Sequence, residues 1–79
     1  MAKVRNSDLA ALGERIRRAR KERGWNQEEF AYECGLDRSY MGGIERGERN
    51  VTFETLCTIA EGLGMNLSDL LADFPRRVR

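Results

Sequence analysis

The sequence predicts an all-α fold, a compact five-helix domain in which the second and third helices form a helix-turn-helix. Three observations predict it. Apolar residues recur at the three-and-four spacing of a helix in five separate segments. Each segment opens on a polar residue able to cap a helix, and glycines at positions 24, 35, 47 and 64 close the first four. In the stretch Gln27–Arg46, Phe30, Ala31 and Cys34 precede Gly35, and Leu36, Met41 and Ile44 follow it. Two short helices joined across one glycine turn, with the small Ala31 where they cross, leave the outer face of the second helix on the surface.

Residues 1–6 are expected to form a loose basic arm. The first helix starts with Ser7 or Asp8 as N-cap and carries Leu9, Leu12, Ile16 and Ala19 on one face. Arg15, Arg17, Arg18, Arg20, Lys21 and Arg23 then run around the outside, and the basic end suits the helix dipole. Trp25, past Gly24, is expected in the core. Asn26 caps the second helix, with Glu29 completing a capping box. Gln27 is then the first helical residue, beside unpaired backbone N–H groups able to receive a phosphate.

Asp37 caps the third helix and puts Arg38, Ser39 and Tyr40 in its first turn. Gly42 and Gly43 fall inside that helix, where each costs about 1 kcal/mol relative to alanine. Either the backbone there approaches another surface closely, or Met41 and Ile44 hold the helix and the glycines are tolerated. Arg46, Arg49 and Asn50 lie in the following loop, where docking of the third helix would bring them to a sugar–phosphate backbone; Glu45 is expected to orient one of these arginines.

Thr52 caps the fourth helix, in which Phe53, Leu56, Ile59, Ala60 and Leu63 take core spacing and Gly62 weakens the last turn. Asn66 opens the fifth, which carries Leu67, Leu70, Leu71 and Phe74 until Pro75 stops it. Its apolar surface exceeds what a four-helix core covers, so Met65, Leu67, Leu70 and Phe74 are expected at a dimer interface. The domain therefore spans residues 7–74, followed by a basic tail over 75–79.

Seventy-nine residues make one small domain with a thin core, for which self-association is a physical means of burying more apolar surface. The net charge of +1 conceals an uneven distribution: residues 1–23 hold eight Lys or Arg against three acids, and residues 24–75 hold three Arg against ten acids. With no long apolar run and no leader pattern, no membrane partner and a cytoplasmic location are expected. Cys34 and Cys57 match no metal-ligand spacing, and the chain has no histidine, so two half-buried free thiols and no metal are expected. Without paired ligands, an activated nucleophile or a phosphate-cradling glycine loop, neither an enzyme, a cofactor nor a small-molecule substrate is expected.

Over Leu9–Phe74 the chain resembles the lambda-repressor-like (Cro/C1, XRE) helix-turn-helix domains. The residues that carry the resemblance are IRRARKERGWNQEEFAYECGLDRSYMGGIERGERNVTFETLCTIAEGLGM. Within that family the run LDRSYMGGIERGERN is most similar to the small controller proteins of restriction–modification systems. The resemblance implies a sequence-specific regulator of transcription that binds double-stranded DNA as a homodimer on a palindromic operator, with RNA polymerase as a further partner. It implies that Arg38 and Ser39 face bases while Tyr40, Arg49 and Asn50 hold the backbone, a role the chain order extends to Gln27 and Arg46. Gly42 departs from the short polar residue expected at its position. The competing expectation is an antitoxin-like or adaptor protein whose main partner is another protein, reached through the acidic middle and the fifth helix.

Overall fold

The computed structural model describes residues 6–74, and these form five helices. They are α1 (Asn6–Glu22), α2 (Gln27–Glu33), α3 (Arg38–Glu45), α4 (Phe53–Leu63) and α5 (Leu67–Leu70). The expected C-terminal tail lies outside the described residues, as does the expected arm except for Asn6. Asn6 is already the first residue of α1, so Ser7 and Asp8 sit inside the first turn rather than capping it.

The internal helix starts follow the local rules. The Asn26 side chain accepts from the Glu29 N–H while the Glu29 carboxylate accepts from the Asn26 N–H, a complete capping box. Asp37 accepts from the N–H groups of Ser39 and Tyr40, and Thr52 from that of Thr55. At 66 the asparagine occupies the cap position without making a side-chain cap bond.

Every helix contributes to one core. Ile16 of α1, Phe30 of α2, Met41 and Ile44 of α3, Ile59 of α4 and Leu70 of α5 are the largest fully buried side chains. Each contributes roughly 1.5–3 kcal/mol by leaving water. Trp25 is half-buried rather than enclosed, packed on this cluster with its ring 5.9 Å from that of Phe30. Two glycines set how closely α1 lies on the end of α3. A Cβ at Gly13 would overlap the carbonyl oxygens of Ile44 and Glu45. One at Gly47, which has φ +77, would stand 2.6 Å from Ala10 Cα.

Several expectations are corrected by long-range contacts. Arg20 is not on the outside of α1: it is 5% exposed and forms a two-bond ion pair with Glu45, which is 7% exposed, at 2.7 and 3.0 Å. Its remaining reach goes to the Trp25 carbonyl at 2.8 Å. Arg23 donates to the carbonyls of Leu63 and Ala19, so it fastens the end of α1 to the end of α4. Much of the α1 charge is therefore engaged with the chain itself, while Arg17, Arg18 and Lys21 remain exposed.

Phe53 is 71% exposed in spite of its core spacing, because it is the first residue of α4 and the buried face begins one turn later at Leu56. The fifth helix is a single turn and does not run to Pro75. Asp73 takes a left-handed backbone with φ +68, Arg15 donates to the carbonyls of Leu70 and Ala72 at 3.1 and 2.6 Å, and the Phe74 ring lies 4.3 Å beneath the Arg15 guanidinium. The carbonyls at the end of α5 thus find an arginine instead of another helical turn. Leu70, expected at a dimer interface, is enclosed completely by its own chain and has no surface to give one.

Candidate nucleic-acid interface

The helix-turn-helix comprises α2, the turn at Gly35 with φ +69, and α3. Leu36 is half-buried against the core, while Ala31, Met41 and Ile44 are buried; together these pull α3 onto α2 and leave the first turn of α3 facing out. Arg38 and Ser39 are exposed there, and Tyr40 is half-buried with its ring packed on the core. A polar concavity of about 220 Å³ is lined by Gln27, Arg38, Ser39, Gly42 and Arg46. Four of the seven expected site residues thus line one concavity, between the start of α2 and the exposed side of α3.

Gln27 is oriented from behind. Its Nε2 donates to Glu45 Oε1 at 3.1 Å. A carboxylate only accepts, so the amide NH₂ must face Glu45, which leaves Oε1 on the side of Gly42. A Cβ at Gly42 would lie 3.3 Å from that oxygen and 3.0 Å from Arg46 Nη1. The glycine therefore gives room to side chains of both helices. Glu45 does orient an arginine, as expected of it, but the partner is Arg20 of α1 rather than Arg46 or Arg49.

Arg46 is instead held by Glu48, with two hydrogen bonds at 3.0 and 3.1 Å across the Gly47 turn. The Arg46 guanidinium keeps the Glu48 carboxyl below the usual carboxylate range, first by hydrogen bonding and then by its charge. Sequence reasoning passed over Glu48. Its spacing of two from Arg46 around a glycine turn was the available signal.

Arg49 and Tyr40 form a second group on the flank of α3. The Arg49 guanidinium carbon lies 5.7 Å from the centroid of the Tyr40 ring, and a Cβ at Gly43 would stand 3.1 Å from Arg49 Cγ. Asn50 is apart from both groups. With Asp8 it helps to line a groove of about 170 Å³, otherwise apolar, made by Leu9, Leu12, Val51, Leu56, Leu71 and Phe74. No group of His, Cys, Asp or Glu among the described residues could hold a metal ion, and no described helix is long and apolar enough to cross a membrane.

The exposed Arg38 and the Ser39 hydroxyl at the start of α3, with Arg46 at its end lining the same concavity, can donate to the acceptors of a base edge or to phosphate oxygens. A model of the helix-turn-helix family matches residues 16–70. The chain is 42% identical over 66 residues to the control protein C.MunI of a Mycoplasma species, covering 82% of this chain and 89% of that one. The fold is similar to that of the restriction-modification controller protein C.AhdI from Aeromonas hydrophila, with a TM-score of 0.79 and 42% identity over 81% of this chain and 97% of that one. It is also similar to the controller protein C.Esp1396I, solved as a tetramer in complex with its natural 35 base-pair operator. That likeness has a TM-score of 0.74 and 38% identity over 80% of this chain and 83% of that one.

Proposed function

The chain belongs to the helix-turn-helix family of DNA-binding transcriptional regulators, and from that premise we propose that it is the controller of a restriction–modification system, acting as a homodimer on a palindromic operator. One observation carries the reading: the exposed start of α3, where Arg38 and Ser39 share a polar concavity with Gln27 and Arg46. Seated in a major groove, Arg38 donates to guanine O6 and N7, a contact worth about 1–3 kcal/mol of discrimination. Ser39 adds an adaptable hydrogen bond. Gln27, Tyr40, Arg46, Arg49 and Asn50 hold the sugar–phosphate backbone, which makes binding fall steeply with salt as counterions are released. With glycine at 42 and 43, few side chains reach bases, so part of the specificity comes from the shape and bendability of the site.

Two half-sites one turn apart require two copies related by a two-fold axis. Met65, Leu67 and Phe74 are half-buried and Phe53 is exposed, and these supply the apolar part of the contact. The place of action is the compartment that holds the DNA, the cytoplasm in bacteria, with RNA polymerase as a further partner where the site adjoins a promoter. The likeness to control proteins favours this reading over a protein-directed adaptor.

Selection of duplexes from a random library at fixed salt tests it. The expected winners are inverted repeats with half-sites about one helical turn apart. Arg38→Ala should relax preference at one base position, whereas Arg49→Ala should weaken all sequences alike and reduce the salt slope by about one. An unchanged preference profile in Arg38→Ala would remove α3 as the reading element.

A further inference from the structure

Gly42 and Gly43 lie in the middle of α3, and neither has the positive φ that demands glycine. Their use lies in the missing Cβ. At Gly42 the tightest neighbour is Arg46 Nη1, the far end of a flexible side chain that can swing away. Gly43 is different. A Cβ there would stand 3.1 Å from Arg49 Cγ, near the root of the side chain, and 3.2 Å from Nε, where the guanidinium begins. Arg49 leaves the loop six residues later, crosses back over α3 at Gly43, and brings its guanidinium carbon to 5.7 Å from the Tyr40 ring centroid. That ring is itself steadied by its packing on the core.

We propose that Gly43 is a positioning residue for DNA binding: the bare backbone at Gly43 is a seat that, with the Tyr40 ring, holds the Arg49 side chain along α3 before DNA arrives. The proposal rests on the reading of Arg49 as a backbone contact. Seated in this way, the guanidinium is displayed beside the Tyr40 ring on the flank of α3, and its ordering is complete before the encounter. A long cation that must be immobilised on binding costs affinity, and one already immobilised does not. The arrangement also explains why α3 retains a residue that weakens helices.

A double-mutant cycle tests this on the full chain, with the selected operator duplex as probe and thermal melting measured in parallel. Gly43→Ala should weaken binding roughly three- to tenfold, the scale of one side chain's ordering, while leaving the melting temperature unchanged or higher. In the Arg49→Ala background the same substitution should leave Kd unchanged. Equal losses in both backgrounds, or no loss in the native background, would remove the seat and leave the reading of Arg49 standing. Absence of any effect from Arg49→Ala would remove that reading and the seat with it. A second measurement needs no DNA and holds even if Gly43→Ala melts lower. In the native chain the Arg49 side-chain protons should carry an aromatic ring-current shift, lost in Gly43→Ala and in Tyr40→Leu and kept in Tyr40→Phe. Random-coil shifts in the native chain would overturn the proposal.

Discussion

Cys34 and Cys57 carry the same thiol into opposite surroundings. The expectation of two half-buried thiols fails for both, since Cys34 is buried and Cys57 is exposed. Burial, and secondarily the charge of Glu33, pushes the Cys34 thiol up to about 11 from 9.0. The thiolate is the reactive form, so alkylation near neutral pH should consume Cys57 first and Cys34 only as the chain opens. Equal rates would contradict the burial. Stability carries the same signature. The unfolded chain releases the proton at lower pH than the folded one, so the contribution of the protonated Cys34 is intact below pH 9 and is lost between about pH 9 and 11. Denaturant titrations at neutral pH and between those two values should differ by less in Cys34→Ala than in the native chain. Cys34 sits on one side of the Gly35 turn and its Sγ comes within 3.1 Å of where a Cβ at Gly62 would be. No local pattern around either cysteine reports that contact.

Among the helices, the pairing of α1 with α3 has the largest consequence for the surface proposed to meet DNA. Arg20 and Glu45 are both nearly excluded from water, and Glu45 also receives the Gln27 amide at the start of α2. One carboxylate therefore ties three helices and sets which face of Gln27 looks outward. Glu45→Ala leaves the Arg20 guanidinium enclosed without its counter-charge, which should cost about 3–5 kcal/mol in urea unfolding. Replacing both residues by apolar ones of similar size should cost much less, because no charge is then stranded. A single-variant loss below about 1 kcal/mol, the value of an exposed pair, would mean that water reaches the site. The N-caps and glycine turns that bound α2, α3 and α4 were legible beforehand, since each is closed by groups within five residues. The Arg20–Glu45 pair was not, because 25 residues separate its partners: the spacing of four from Ile16 puts Arg20 on the apolar face of α1, but nothing along the chain names the carboxylate that meets it there.

For the molecule as a whole, the question is what covers the apolar surface that one copy leaves outside. Phe53 is the most exposed of the residues whose spacing predicts the core, and its sequence neighbours Val51 and Leu56 line the groove that Leu71 and Phe74 complete. Sedimentation should show a concentration-dependent dimer that Phe53→Asp shifts toward monomer, while binding to an isolated half-site survives. A native chain that stays monomeric up to the highest soluble concentration would sink the two-fold reading. The fold class, the helix starts at Gln27, Arg38 and Phe53, and the two residues that open α3 outward were all determined by the sequence alone. Hydrogen bonds of caps and the left-handed backbone of Gly35 and Gly47 act over a few residues, so their outcome is written where they stand. Tertiary structure decided what Arg15 and Arg20 pair with, that Leu70 is enclosed, that α5 is a single turn, and that Arg49 lies back over Gly43. A guanidinium or a leucine takes its surroundings from whatever packs against it, and the Leu70 and Ala72 carbonyls that receive Arg15 and the Glu45 carboxylate that receives Arg20 lie 25 to 57 residues away along the chain.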